Sequence, residues 1–321
     1  MADQVKAPET LLQAVRYFAD EDVALDFVAR MRWPDGKQVC PKCGSEGEHY
    51  FLSTRRKWKC RDCRKQFSIK VGTIFEDSPL SLSKWLPAMW MLANCKNGIS
   101  SYELARALGV TQKTAWFMLH RIREAMGDDY SGPMDGEVEA DETYIGGLAK
   151  NMHKSKRRER IHGTGGVDKV AVMGLLERPR GAEHSLVRTT VLTERTKARM
   201  QAHVRENVSP GAAVYTDAHY GYRGLGDAGY LHDVVDHAAE YVRGRVHTNG
   251  IENFWSLVKR ALHGTYVSVE PFHIFRYLDE QTFRFNNRGA SDGQRFRRLV
   301  QKVVGLRLTF SDLTGRTLCA T

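Results

Sequence analysis

The chain has 321 residues, with 48 Lys and Arg against 38 Asp and Glu, a net charge of +10 and an isoelectric point near 9.3. Hydrophobic residues at 42% and charged residues at 27% exclude wholesale disorder, and the length suits two or three domains at ~100–200 residues each. The longest apolar run, residues 85–93, falls far short of the ~20 that span a bilayer, so no membrane partner is expected.

The N-terminal MADQVKAPETLLQ lacks the charged stretch and apolar core of a secretory signal, and a cytoplasmic protein is expected. The first 35 residues read as one amphipathic helix, with Leu11, Leu12, Val15 and Phe18 at helical spacing and a turn at Trp33-Pro34-Asp35-Gly36. Cysteines follow in the pattern Cys40-x2-Cys43-x16-Cys60-x2-Cys63. Each pair offers two thiolates from one tight turn, and two such turns close a tetrahedron around structural Zn2+. So short a module has no core of its own, and the metal supplies its folding free energy. Around it Arg55, Arg56, Lys57, Lys59, Arg61, Arg64 and Lys65 interleave with Trp58 and Phe67, a composition suited to phosphate contact and base stacking, although such a ribbon also serves as a protein-contact module.

Residues 80–127 read as all-helical, with starts at Ser81 and Thr111 and a break at Gly109. The second half is a helix, a glycine turn and a new helix, the layout of a helix-turn-helix. Thr111, Gln112, Lys113 and Thr114 open that helix, where base edges would be met. An ordinary helical hairpin reads the same way. After the linker at 131–133 the pattern changes to strands at 137–145, 169–176, 186–192 and 212–217, with a helix around 195–206, and from about 249 it is mainly helical. The chain is thus multidomain: a metal module, a helical module and an α/β domain. Positive charge concentrates in residues 241–321 (net +7), while 136–240 is neutral.

That neutral stretch holds two of the candidate acids, and the basic C-terminal part holds the third. Alternation in Glu137–Ile145 puts Glu139, Asp141 and Thr143 on one strand face, and acids are poor strand formers. Asp217 ends a second strand. Glu252 opens a helix whose apolar face is Ile251, Phe254, Trp255, Val258 and Leu262, while Glu252, Ser256, Lys259 and His263 line an adjacent stripe. Two acids from strands and one from a helix suit two Mg2+ ions, which activate the attacking oxygen and stabilise the leaving oxygen of a phosphodiester. Each acid also has a local structural reading: Asn249 and Glu252 as a capping-box variant, Asp217 as an Asx-turn residue, Asp141 as partner of a basic residue at 150–160.

The chain resembles bacterial insertion-sequence transposases of the DDE class, of the ISXO-like type with an N-terminal zinc ribbon. The likeness runs through CPKCG, KWKCRDCRKQFS, VGTIFEDS, DETYIGG, NMHKSKRRER, YTDAHYGY and HTNGIENFWSLVKR. It implies a helical segment at 1–38, the ribbon at 39–70, a helix-turn-helix module at 80–128 and a ribonuclease-H-like catalytic domain at 136–310. It also implies metal-binding catalytic acids Asp141, Asp217 and Glu252, with Mg2+ or Mn2+. Lys259 and Arg260 would touch transposon-end DNA, and Glu139 and Glu142 are rivals that the motif demotes. The implied reaction hydrolyses the phosphodiester at each transposon end, and the exposed 3′-hydroxyl then attacks target DNA. The partners are inverted-repeat and target DNA, at which the protein would be nucleoid-associated. Two ends must meet, so a homodimer or larger oligomer on DNA is expected. The basic run Lys150, Lys154, Lys156, Arg157, Arg158 and Arg160 reads as a phosphate clamp or a solvated loop. Two other readings remain: a domesticated, inactive transposase acting as a DNA-binding regulator, and a ribonuclease-H-like nuclease without strand transfer.

Overall fold

The structure, a computed structural model, describes residues 8–127, 132–146, 155, 169–179, 181, 184–235 and 242–315. They divide into two units, Met1–Gly127 with Ala290–Thr321, and Asp128–Gly289.

In the first unit the single N-terminal helix expected from the spacing is two helices, α1 (Leu11–Tyr17) and α2 (Glu21–Arg32). The break has a local cause. The Asp20 carboxylate accepts the N–H groups of Asp22 and Val23 at 2.8 and 3.2 Å, capping a new helix. The buried face of α1 also differs: Leu11, Leu12 and Val15 are exposed, while Ala14 and Phe18 point inward. Phe18 orients the helix by packing 5.1 Å from Phe27 and 5.6 Å from Phe296.

The cysteine turns repeat one conformation. Cys40 N–H donates to the Ser45 carbonyl at 2.8 Å and Cys60 N–H to that of Lys65 at 3.0 Å. Gly44 and Arg64 hold the matching left-handed position, at φ 74° and 62°. Short strands β1 (Gln38–Val39) and β2 (Glu46–Gly47) pair with each other, and β3 (Tyr50–Leu52), β4 (Lys57–Lys59) and β5 (Gln66–Phe67) form an antiparallel sheet. Trp58 and Phe67, directly opposed across it and stacked at 6.1 Å, are buried. They are the module's core, so the expected base stacking does not fall to them.

Helix α3 (Leu82–Asn94) starts after Ser81, as expected, and supplies Trp85, Leu86, Met89 and Trp90 to the core. Next come α4 (Ser101–Leu108), left-handed Gly109 at φ 61°, and α5 (Gln112–Glu124). The chain beyond Gly289 returns to this unit, whereas the sequence reading carried the later domain to about 310. Phe296, on the helix Asp292–Gln301, packs on Phe27 and Trp90 at 5.8 and 5.1 Å. Ile74 N–H also bonds the Val303 carbonyl at 3.1 Å.

The second unit is built on a five-stranded mixed sheet. Its strands are β6 (Glu137–Ile145), β7 (Val170–Glu177), β8 (Leu186–Leu192), β9 (Ala213–Thr216) and β10 (Leu231–Val234), in the order β10-β9-β6-β7-β8. β6, β7 and β8 are antiparallel; β9 is parallel to both β6 and β10. Helix α6 (Lys197–Asn207) covers one face, where Met200 and Val204 meet Val138, Ala140, Met173 and Val214. Helices α7 (Asn249–Ala261) and α8 (Ile274–Asn286) supply the other face, with Phe254, Trp255, Val258 and Leu278 against Val172, Leu176 and Val187. Four strands and α6 lie where the sequence places them, to within a residue or two. β10 was not anticipated, because Leu231-His232-Asp233-Val234 is short and half polar.

The outer edge of β8 is closed by a side chain. Asn286 of α8 accepts Val187 N–H and donates to the Val187 carbonyl, both at 2.8 Å, standing in for a neighbouring strand. Asn286→Ala should therefore leave two buried backbone groups unpaired and lower stability by about 2 kcal/mol, read as an earlier urea midpoint at unchanged slope.

Candidate active site

Strand register and one glycine bring the acids together. Asp141 in β6 pairs with Gly174 in β7, and Ala140 pairs with Thr216 in β9. Carrying that parallel ladder one residue further sets Asp217 beside Asp141, just past the end of β9. The Asx turn also forms, since the Asp217 carboxylate accepts His219 N–H at 3.0 Å, so structural and chemical roles coincide in one residue. On α7, Ile251, Phe254, Trp255 and Val258 are buried while Glu252, Ser256, Lys259 and Arg260 are exposed, as the spacing predicts. The helix lies on Gly174. A Cβ there would stand 2.6 Å from Trp255 Cζ2 and 2.7 Å from Ile251 Cδ1. The helix bearing Glu252 is thereby seated over the residue paired with Asp141. The N-cap is Thr248 rather than Asn249, so the expected capping box is replaced: Thr248 Oγ1 donates to Glu252 Oε1 at 2.7 Å.

Electrostatics records the proximity. Burial pushes the Asp141 carboxyl up to about 7, and the charges of Glu142, Asp217 and Glu252 push in the same direction. A buried carboxyl with other carboxylates near it suits the oxygen donor set of a hard divalent cation. The three carboxylates do not all close within 4.8 Å of one another; among the described residues only the four cysteines form such a group.

Both rival acids are bound elsewhere. Glu142 points to the opposite face of β6, where its carboxylate accepts the Tyr222 hydroxyl at 2.7 Å and lies 3.2 Å from His219 Nδ1. Burial raises its pKa, while Tyr222 and His219 pull it down. Glu139 is 1% exposed and is held by Arg178 Nε at 2.8 Å and Ile251 N–H at 2.9 Å. The motifs bypassed Arg178 and Gly174, and Gly250 lay unremarked within HTNGIENFWSLVKR. An isolated glycine in the apolar run Val170–Glu177 is a signal of close backbone approach, and Gly174 carries it.

The Sγ atoms of Cys40, Cys43, Cys60 and Cys63 lie within 4.8 Å of one another, a donor set fit for Zn2+. Of the expected DNA contacts, Thr111 caps α5 by accepting Thr114 N–H at 3.2 Å, Gln112 bonds the Ser101 hydroxyl at 2.8 Å, and Lys113 Nζ lies 4.7 Å from the Phe310 ring. Thr111 and Lys113 are exposed. Further along α5, Arg121 and Arg123 are buried, Arg121 lying over the rings of Trp85 and Phe117. Lys259 sits seven residues, about 10 Å of helix, from Glu252. Lys150, Lys154, Lys156, Arg157, Arg158 and Arg160 lie outside the described residues. Among those described, no helix is long and apolar enough to cross a membrane.

Two family profiles match the chain: an ISXO2-like transposase domain over residues 133–286, which contains the three acids, and a transposase zinc-ribbon domain over residues 19–66, which contains the four cysteines. An uncharacterized protein in transposable element ISH50 of Halobacterium salinarum is 28% identical over 261 residues, 78% of this chain and 86% of the relative. An uncharacterized transposase-like protein of Haemophilus influenzae is 33% identical over 101 residues, 32% of this chain and 81% of the relative.

The high Asp141 pKa has a consequence for stability. The unfolded carboxyl titrates near 3.9 and the folded one near 7, so the folded state holds the proton more tightly. Its stabilising contribution is present below pH ~4 and is lost as pH rises to about 7. In the presence of a chelator for divalent cations, Asp141→Asn should raise the melting temperature at pH 8 by an amount worth about 2 kcal/mol. The gain should shrink as pH falls towards 4; a gain independent of pH would contradict the electrostatic cause.

Proposed function

The chain belongs to the ISXO2-like transposase family, and from that premise we propose that it binds transposon inverted repeats, cleaves the ends and joins the 3′-hydroxyls to target DNA. The observation that carries the proposal is the convergence of Asp141, Asp217 and Glu252, from two adjacent strands and one helix, where burial pushes Asp141 up to about 7 and the charges of Glu142, Asp217 and Glu252 add to the shift. A central first strand with acids at the ends of neighbouring elements supports the ribonuclease-H-like reading of this unit. Asp141, Asp217 and Glu252 would hold the divalent cations, Mg2+ or Mn2+, which when bound supply activation of the attacking oxygen and stabilisation of the leaving oxygen. No side-chain nucleophile is required.

The remaining residues then have defined roles. Lys259 and Arg260, exposed on the same helix as Glu252, contact the phosphates of the transposon end and keep the scissile bond in register. Glu139 and Glu142, held by Arg178 and Tyr222, stay out of the ligand set. The α4–Gly109–α5 pair acts as the helix-turn-helix, with Thr111 and Lys113 at its exposed recognition end. The Zn2+-bound ribbon supports end binding through Lys57 and Lys59, which extend from β4 on the side away from Trp58.

Asp141→Ala, Asp217→Ala and Glu252→Ala should each lower cleavage of the cognate inverted repeat at least 1000-fold, on the order expected for loss of a metal ligand. Mobility-shift affinity for the same DNA should be unchanged. Cleavage at the parental rate by any one variant would remove that residue from the site, and an inactive parent that still binds the repeat would favour the DNA-binding regulator. Stripping Zn2+ should unfold the ribbon, seen as a red shift of fluorescence from buried Trp58, and should weaken end binding at least tenfold. Unchanged binding would make the ribbon a protein-contact module.

A further inference from the structure

The motifs single out the acids; the fold adds an ionic cluster behind them that none of the three belongs to. Glu139 sits in the middle of β6, 1% exposed. A carboxylate so buried costs several kcal/mol unless fully paired, and this one is. Oε1 accepts Arg178 Nε at 2.8 Å and lies 3.4 Å from His247 Nδ1. Oε2 accepts Ile251 N–H at 2.9 Å, one of the donors that the first turn of α7 leaves without a partner inside the helix. The positive end of the helix favours the same anion. The approach requires a bare backbone: a Cβ on Gly250 would stand 2.8 Å from Oε2.

Arg178, just beyond β7, ties this contact to its surroundings. It donates to Glu137 Oε2 at 3.3 Å and to the carbonyls of Arg245 and His247 at 2.7 and 2.9 Å, and its plane lies 4.7 Å from the Tyr215 ring centre. One guanidinium thus joins β6, β9 and the segment that leads into α7.

We propose that Glu139 and Arg178 are positioning residues for the metal site, clamping the start of α7 to β6 and so fixing where Glu252 stands relative to Asp141. The inference rests on the reading of Asp141, Asp217 and Glu252 as ligands. The connection is short and covalent at both ends. Glu139 is two residues from Asp141 on the same strand face, ~7 Å away. Ile251, whose N–H it holds, immediately precedes Glu252. The apolar contact of Trp255 and Ile251 with Gly174 sets how closely the helix lies on the sheet, but hydrophobic contact is non-directional and resists sliding poorly. The Glu139 bond is directional and fixes the helix along its axis. Hard cations take carboxylate oxygens at narrow distances, so a small slip of α7 weakens the site without emptying it of ligands.

The test is inverted-repeat cleavage by the full zinc-loaded chain as a function of Mn2+ concentration, for Glu139→Gln and Gly250→Ala. The second leaves every charge in place and pries the same contact apart, so it gives the reading independently should the first not fold. Loss of outer-shell support for a metal ligand costs ~10–100-fold in metal affinity. The expected result is a Mn2+ midpoint raised at least tenfold, with most of the rate recovered at saturating Mn2+ and DNA binding unchanged. An unmoved midpoint, with activity falling only in proportion to folded protein by circular dichroism, would overturn the clamp and leave a purely structural ion pair. Asp141→Ala and Glu252→Ala in the same assay keep the two ideas apart. If they cleave normally, the ligand reading fails; if they are inactive while the Glu139→Gln midpoint stays at the parental value, only the clamp fails.

Discussion

The site depends on how closely one helix lies on one sheet. A helix normally rests on a strand surface through side chains of both partners. Here Gly174 removes the strand's side chain at the single position opposite Asp141, and Trp255 and Ile251 of α7 occupy the space. The buried face of that helix is worth ~1.5–3 kcal/mol per large apolar side chain, which holds it down. Every other feature of the acidic cluster follows from that height: the stripe carrying Glu252 turns towards Asp141, and the helix start comes within hydrogen-bond reach of Glu139.

The closeness has an electrostatic cost. Burial drives Asp141 up to about 7, and the neighbouring charges of Glu142, Asp217 and Glu252 add to the shift. Among the described residues, other acids of the unit are held by partners of their own. Glu137 and Glu139 are paired with Arg178 and Arg245, and Glu142, on the opposite face, accepts the Tyr222 hydroxyl and lies beside His219.

Much of this was legible in the sequence, and the reasons differ by element. The cysteine spacing specified the ribbon because tetrahedral thiolate geometry tolerates few alternatives. Helical periodicity identified the buried and exposed faces of α7 residue by residue, because one face of that helix is buried, and β-rich composition located β6 and β8. Periodicity failed at α1, where seven residues anchored by Phe18 leave Leu11, Leu12 and Val15 outside. It failed again at Trp58 and Phe67, whose alternation with lysines fits a stacking surface and a strand core equally well. Phe296 joins an aromatic cluster with partners more than two hundred residues away, a contact that local pattern does not encode. Arg178 was invisible for the same reason: its partners come from three separated segments.

We propose that helix seating on Gly174 creates a divalent-cation site bounded by Asp141, Asp217 and Glu252. Its most direct test is a crystal structure of the full chain soaked with Mn2+, read by anomalous scattering at the manganese edge. The account predicts a manganese peak in contact with oxygens of at least two of these three carboxylates. A peak on Glu139 or Glu142 instead, or none at this cluster at a Mn2+ concentration that supports cleavage, would contradict it.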